Sequence, residues 1–543
     1  MGFVRQIAAV SLAVLAGAMA AHAEPVVRAP AGPVRGVAAD GEHIFKGIPY
    51  ALGPVGERRW RPPVAVPAWH GVRDASAFGP ACMQPQSPPS SIYSETYSMS
   101  EDCLSLNIWA PANAKNAPVF LWIHGGSLMR GASSQPMYDG AVLAKRGIIV
   151  VSINYRLGVF GYFAHPELSA ESPEGISGNY GILDQIAALG WVKRNIGAFG
   201  GNAGNVTIAG ESAGGLAILH LLASPRARGL FARAIVQSAS LMNIPELKRP
   251  AFGLPAGEAA GGFIAKGRSL AELRALDGPG IIALAKEGRF AATAIVDGKV
   301  LPHQLVETFD RGEQARVPLL TGFNSGEIRT MRPLLPGVPD PASFDAATYE
   351  AAIRENYGEL AEDFLRYYPA SDIGESILAA TRDGFFAWTS QRLVRDQARI
   401  GQPAWLYFFD HGYPASDEAG IHGFHAAELP FMFGTIDRTT PLWPRVPETS
   451  GERALSNAMV DYWASFARIG VPKAPGQPVW PSHNKRAAYM IFAAEPRVAV
   501  DLMPGQYRLH EQVVCRRRAA GIAWNWNVGL AAPILPAASG ACR

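Results

Sequence analysis

Ser212 is the residue of this chain best placed for nucleophilic chemistry. It stands in Gly210-Glu211-Ser212-Ala213-Gly214-Gly215, after the apolar run Val206-Thr207-Ile208-Ala209 and before the helix-prone stretch Leu216 to Ala223. That order predicts a strand, a sharp turn with serine at its apex, and a helix. Glycines two positions either side of the serine let the backbone take a strained turn without Cβ clashes, leaving the hydroxyl exposed above a sheet with a helix N-terminus behind it. The pattern alone is weak, because chance supplies it about one time in three in a chain this rich in glycine and serine. Its meaning depends on three further groups: a base to take the hydroxyl proton, an acid to orient the base, and donors for an oxyanion.

Each has a candidate. His124-Gly125-Gly126-Ser127 follows an apolar strand, and glycines there let backbone N–H groups face a ligand; taken alone, a Gly-Gly after a strand is more often a simple turn. The N–H of Ala213, directly after the serine, would complete a three-donor hole. Of 12 histidines, His425 lies in a loop soon after a strong strand, with His422 three residues away, while His483 and His510 read as surface residues. A metal site from His411, His422, His425 and Glu428 has poor spacing for a helical ligand pair, so no metal or other cofactor is expected. Glu327, in Thr321-Gly322-Phe323-Asn324-Ser325-Gly326-Glu327, is the acid candidate; local sequence alone makes it a solvated loop glutamate, with Asp297 and Asp310 as competitors.

The elements that must position these groups follow from hydrophobic patterning. Strand-like runs occur at Val119 to Ile123, Ile148 to Asn154, Val206 to Ala209, Ala234 to Gln237, Val317 to Thr321 and Ala404 to Phe409, with an amphipathic helix over Tyr180 to Ile196. Several runs are continuously apolar, as strands covered on both faces are. The alternation predicts a mostly parallel central sheet with helices on both faces and polar groups gathered at the strand C-termini. Residues 241–300 and 328–400 read as helical insertions over that edge.

Residues 1–23 read as a signal peptide: Arg5, an apolar core from Ile7 to Ala20, and the small-x-small site Ala21-His22-Ala23. The core is too short for a membrane span, and no other apolar stretch is long enough, so an exported chain, periplasmic or secreted, is expected from Glu24. The alternative is an uncleaved anchor. No domain boundary or repeat divides residues 24–543. A formal net charge of +3, with no basic block beyond Arg516-Arg517-Arg518, argues against a nucleic-acid partner. Four cysteines fit two disulfides. Three pairings are open; the most local joins Cys82 with Cys103 and Cys515 with Cys542.

In its motifs the chain resembles a type-B carboxylesterase of the carboxylesterase/cholinesterase family, with the α/β-hydrolase fold. The resemblance runs from about Val34 to Phe492. It is carried by Phe45-Lys46-Gly47-Ile48-Pro49-Tyr50, Glu101-Asp102-Cys103-Leu104-Ser105-Leu106-Asn107, the glycine-rich segment after Trp122, Asn154-Tyr155-Arg156, Gly178-Asn179-Tyr180-Gly181, Phe199-Gly200-Gly201-Asn202 and the serine turn. It implies Ser212 as nucleophile, Glu327 as acid and His425 rather than His422 as base, with Gly125, Gly126 and Ala213 as oxyanion donors. It also implies the Cys82–Cys103 bridge, whereas Cys515–Cys542 rests on arithmetic alone. The chain departs from the family pattern at Ser127, where a third glycine is usual, at Gly326 and Ile328 around the acid, and at Asn202. The Cys82–Cys103 loop lacks the tryptophan with which cholinesterases hold a quaternary ammonium. The expected activity is hydrolysis of small carboxylic esters. Alternatives are a lipase or amidase with the same groups, or a non-catalytic binding protein of the same family. Arg130, Arg329 and Arg332 near the site could favour esters of polycarboxylic acids, with Ser127 as a further pocket residue, although solvated surface arginines are the commoner reading.

Overall fold

The computed structural model describes residues 24–332, 339–538 and 540–542, so the segment read above as a signal peptide lies outside the described residues. One 11-stranded sheet runs through the chain. Its strands are β1 (Val37–Ala39), β2 (Glu42–Pro49), β3 (Ser105–Pro111), β4 (Ala117–Ile123), β5 (Ile149–Ile153), β6 (Gly201–Glu211), β7 (Arg233–Gln237), β8 (Leu319–Asn324), β9 (Ala404–Phe409), β10 (Ala488–Phe492) and β11 (Pro496–Val500). Their spatial order is β11-β10-β9-β8-β7-β6-β4-β5-β3-β2-β1. From β5 across to β10 every neighbouring pair is parallel. The edges are antiparallel: β1 with β2, β2 with β3, β3 with β5, and β10 with β11. Patterning found the central parallel strands because both their faces are buried. It missed the outer ones, β1, β2 and β3 on one side and β10 and β11 on the other.

Period-2 alternation on β4 divides two cores. Val119, Leu121 and Ile123 face a core shared with Ile182, Leu189 and Val192 of α1 (Tyr180–Asn195), Ala217, Ile218 and Leu221 of α2 (Ala213–Ala223), and Leu393 and Val394 of α3 (Trp388–Arg399). Phe120 and Trp122 face the opposite core, with Met459, Val460 and Trp463 of α4 (Ser450–Ile469). Each such fully buried aliphatic or aromatic side chain contributes roughly 1.5–3 kcal/mol of transfer free energy, so the two faces together fix the sheet's position between its helices.

The insertions carry smaller cores of their own. Helices between Gly257 and Glu287 bury Leu270, Leu273 and Ile281 against Trp60 and Phe163. Those between Ala346 and Arg382 bury Tyr349, Tyr357, Phe364 and Tyr368 against Leu509 and Val513 of α5 (Pro504–Ala519). The disulfides are Cys82–Cys103 and Cys515–Cys542. Among the described residues no helix is long and apolar enough to cross a membrane.

Two histidine expectations are overturned. His483 is buried at the start of a short helix, and His510 is buried against the Tyr368 hydroxyl at 3.0 Å. Each lies among polar residues, which misled a reading without tertiary contacts. The basic triplet is not a free cationic surface either: Arg516 pairs with Glu359, Arg517 donates to Asn527 and Arg518 pairs with Asp310.

Candidate active site

Strand β6 lies in the middle of the sheet, between β4 and β7, and ends at Glu211. Ser212 follows with φ 56° and ψ −125°, and α2 begins at the next residue. A non-glycine residue in that region is strained, and it persists only where its surroundings over-determine it. The surroundings are close. The Ser212 N–H donates to Gln237 O at 3.0 Å. A Cβ on Gly210 would come within 2.5 Å of the Gly214 backbone, and one on Gly214 within 2.1 Å of Ile123 O. The two flanking glycines are therefore required by backbone contact between the turn and the neighbouring strand.

The glycine-rich segment leaves the end of β4 beside this turn. A Cβ on Gly125 would meet Ser212 Cβ at 3.2 Å and Glu211 O at 2.8 Å, so only glycine lets the two segments approach. Gly126, Ser127 and Leu128 all have positive φ. Behind them His124 is buried, its Nδ1 2.8 Å from Gly125 O, and its own carbonyl accepts from Tyr155 Oη at 2.9 Å. Burial pushes the His124 imidazole down to about 4, which keeps it neutral.

Glu327 and His425 meet in the structure. Glu327 is 0% exposed, unlike the solvated loop residue its local sequence suggests. Its Oε1 accepts from the Asn324 N–H at 2.8 Å, and its Oε2 lies 2.5 Å from His425 Nδ1. Asp297 and Asp310 are elsewhere: Asp297 binds Asn179 and the N–H groups of residues 299–301, and Asp310 pairs with Arg392 and Arg518. His422 is exposed and paired with Asp417 and Asp410. Among the described residues no group of three or more His, Cys, Asp or Glu is arranged to hold a metal ion.

Two buried glutamates complete the surroundings of His425, neither of them weighed as its neighbour from the sequence. Glu211, inside the serine motif, places Oε1 3.1 Å from His425 Nε2. Glu428 accepts from Gln237 Nε2 at 2.8 Å and Asn324 Nδ2 at 2.6 Å. Burial raises the pKa of both carboxyls. Burial also opposes charge on His425, but the carboxylates of Glu211, Glu327 and Glu428 outweigh it and push the imidazole up to about 9. Only the position of Glu211 in the motif could have drawn attention to it. Glu428 was read only as a possible metal ligand and nothing local marks Gln237; the two become neighbours through the sheet.

A cavity of about 120 Å³ opens over Ser212 and His425, lined also by Gly125, Gly126, Ser127, Arg130, Glu211 and, from the Cys82–Cys103 loop, Tyr93 and Tyr97. Arg329 and Arg332 do not line it. Arg329 pairs with Glu375 at 2.6 Å, and Arg332 reaches Pro339 O and Asp340. The short helix Glu327–Met331 explains this: it turns those two side chains away from the serine while Met331 lines the cavity. With a hydroxyl on a strained turn, an imidazole held by a carboxylate, and glycine backbone beside both, the arrangement suits attack on an acyl carbon.

Comparison with known proteins agrees with this chemistry. The sequence profile of the carboxylesterase family matches residues 23–509. A fumonisin B1 esterase of Sphingopyxis macrogoltabida is 35% identical over 481 residues, covering 86% of this chain and 85% of that protein. A para-nitrobenzyl esterase of Bacillus subtilis is 36% identical over 472 residues, covering 85% and 93%. Among solved structures, a PNB esterase superposes with a TM-score of 0.77 at 33% identity, covering 90% of this chain and 99% of that one. A carboxylesterase of Geobacillus stearothermophilus gives 0.74 at 34% identity, covering 89% and 99%.

Proposed function

The chain belongs to the carboxylesterase family, with the α/β-hydrolase fold and carboxylic ester hydrolase activity, and from that premise we propose that it works through Ser212, His425 and Glu327 as an exported enzyme. The observation that carries the assignment of residues is the pairing of His425 Nδ1 with the fully buried Glu327, in a cavity that also holds Ser212.

The cycle is acyl transfer in two halves. His425 takes the Ser212 proton through Nε2 as the hydroxyl attacks the ester carbon. Glu327 holds the imidazole in the tautomer that leaves Nε2 unprotonated and stabilises the imidazolium that follows. The oxyanion is met by backbone N–H groups of Gly125, Gly126 and Ala213, each donor worth roughly 3–4 kcal/mol. The imidazolium then protonates the departing alkoxide, and water activated by His425 releases the acid. This reading requires Ser212→Ala to abolish turnover of short p-nitrophenyl esters while the protein stays folded. Undiminished turnover in that variant would discard it.

The finer substrate reading is an ester bearing a further carboxylate, and it now rests on Arg130 alone among the arginines. Arg130 lines the cavity, its Nε is buried without a hydrogen-bond partner, and it forms no ion pair among the described residues. A planar guanidinium in that state suits bidentate contact with a carboxylate. Comparing a neutral ester with its carboxylate-bearing analogue checks this, since Arg130→Ala is expected to remove any preference for the charged substrate. A preference equal in both proteins ends the idea. Export is supported by the leader sequence and the two disulfides, which form and persist in oxidising compartments. Mass spectrometry of the processed N-terminus tests it, with Glu24 expected as the first residue.

A further inference from the structure

Three successive carbonyls of the histidine loop are each taken by a donor from elsewhere in the chain. Gly423 O accepts from the Gly326 N–H at 2.8 Å, and Phe424 O accepts from Asn324 Nδ2 at 2.8 Å. Asn324 ends β8 and Gly326 directly precedes Glu327, so the two donors tie the loop of His425 to the segment that carries Glu327. The third carbonyl, that of His425 itself, accepts from Tyr93 Oη at 2.9 Å. Tyr93 belongs to the loop closed by Cys82–Cys103.

The direction of a second bond at the same hydroxyl follows from its proton count. Tyr93 Oη lies 2.7 Å from Thr330 Oγ1. A phenol has one proton, and a carbonyl can only accept, so the Tyr93 proton goes to His425 O and Thr330 must donate to Tyr93. Thr330 is on the short helix Glu327–Met331 that begins with the acid. The Tyr93 hydroxyl thus joins the backbone of the base to the helix of the acid, with its ring edge-on to the His425 imidazole at 6.4 Å. Directly after His425, Ala426 has φ 68°. An alanine in the left-handed region is held there only by its surroundings, and the bond to the carbonyl preceding it is one of the restraints.

Resting on the reading of Ser212, His425 and Glu327 given above, we propose that Tyr93 is a positioning residue, which registers the His425 loop against the Glu327 helix through its hydroxyl. Its removal frees the carbonyl of His425, lets the strained segment relax and shifts the imidazole within the cavity it shares with Ser212. A misplacement near 1 Å costs on the order of 100-fold in rate.

The test is steady-state kinetics on a short neutral ester with Tyr93→Phe, Thr330→Val, Thr330→Ser and the Tyr93→Phe/Thr330→Val double variant, alongside melting temperatures and Ser212→Ala. Tyr93→Phe is expected to lower kcat by about 10- to 100-fold, with KM and melting temperature near those of the parent. Thr330→Val is expected to lower kcat in the same direction, Thr330→Ser to restore it, and the double variant to be no slower than Tyr93→Phe. Parental kcat in Tyr93→Phe, multiplicative losses in the double variant, or losses that follow melting temperature or KM would each overturn the proposal. Should Tyr93→Phe fail to fold, the Thr330 pair decides: equal kcat in Thr330→Val and Thr330→Ser rejects it. Turnover surviving in Ser212→Ala would instead reject the esterase mechanism, whatever Tyr93 does.

Discussion

The serine turn and the histidine loop lie on facing sides of one cavity, yet they are held in place by different physics. Around Ser212 the restraints are backbone sterics at close approach: a Cβ on Gly210 would strike Gly214, one on Gly214 the end of β4, and one on Gly125 the serine's own Cβ. Around His425 they are hydrogen bonds, from Asn324 at the end of β8, from Gly326 just before Glu327 and from Tyr93 in a disulfide-closed loop. A close backbone approach needs a missing Cβ, so it leaves glycines in the sequence. A side-chain tether can be supplied by many residue types, so it leaves no local mark.

The largest expected effect acts at the junction of the two regions. Glu327→Gln puts an amide where a carboxylate faces Nδ1, so the imidazole loses the partner that sets its tautomer. A fall of about 10⁴ in kcat with the fold retained is expected, and circular dichroism with single-turnover kinetics checks it; a fall below tenfold would deny Glu327 its role. Next comes the serine side. Gly214→Ala drives a Cβ to 2.1 Å from Ile123 O, a backbone atom that cannot swing away. The turn must shift, with roughly 1–3 kcal/mol lost from stability and about 100-fold from kcat. Denaturant titration beside the kinetics would contradict the steric account if both stayed at parental values.

The two disulfides sharpen the contrast further. Their sequence separations are 21 and 27 residues, so chain entropy gives them similar stabilities, about 3 kcal/mol each. Only Cys82–Cys103 closes the loop that holds Tyr93. Cys82→Ala/Cys103→Ala is therefore expected to lower kcat as well as the melting temperature. Cys515→Ala/Cys542→Ala should lower the melting temperature alone, and equal kcat losses in the two pairs would erase the distinction. The smallest effect is a pH shift. His425 must be neutral to accept the serine proton, and neighbouring carboxylates raise its pKa to about 9. Glu211→Gln removes one of those negative charges, so the acid limb of kcat/KM should move to lower pH. Movement to higher pH would mean that Glu211 does not charge-stabilise the imidazolium.

Much of the sheet was readable in advance because β4 to β9, in its parallel centre, are buried on both faces and therefore continuously apolar. The outer strands were not read: β3 is buried but broken by Ser105, Asn107 and Pro111, β11 is largely uncovered, and their pairing is set by neighbours far away in the chain. Arg329 shows a different failure. Two positions from Glu327, it seemed to point at the substrate, but the helix begun at Glu327 turns it toward Glu375. His510 looked exposed because its neighbours are polar, and only the packing of α5 on Tyr368 buries it.

By itself the sequence determined the turn at Ser212, the glycines that permit it, the central strands that lead to it and the family resemblance that singles out Glu327 and His425. These are local or motif-level properties, written in residue type and short spacing. The tertiary structure alone decided which carboxylates surround the imidazole, which arginine reaches the cavity, and that a tyrosine from a disulfide-closed loop grips the backbone of His425. Those outcomes depend on where strands far apart in sequence end relative to one another, and no short stretch of residues encodes that distance.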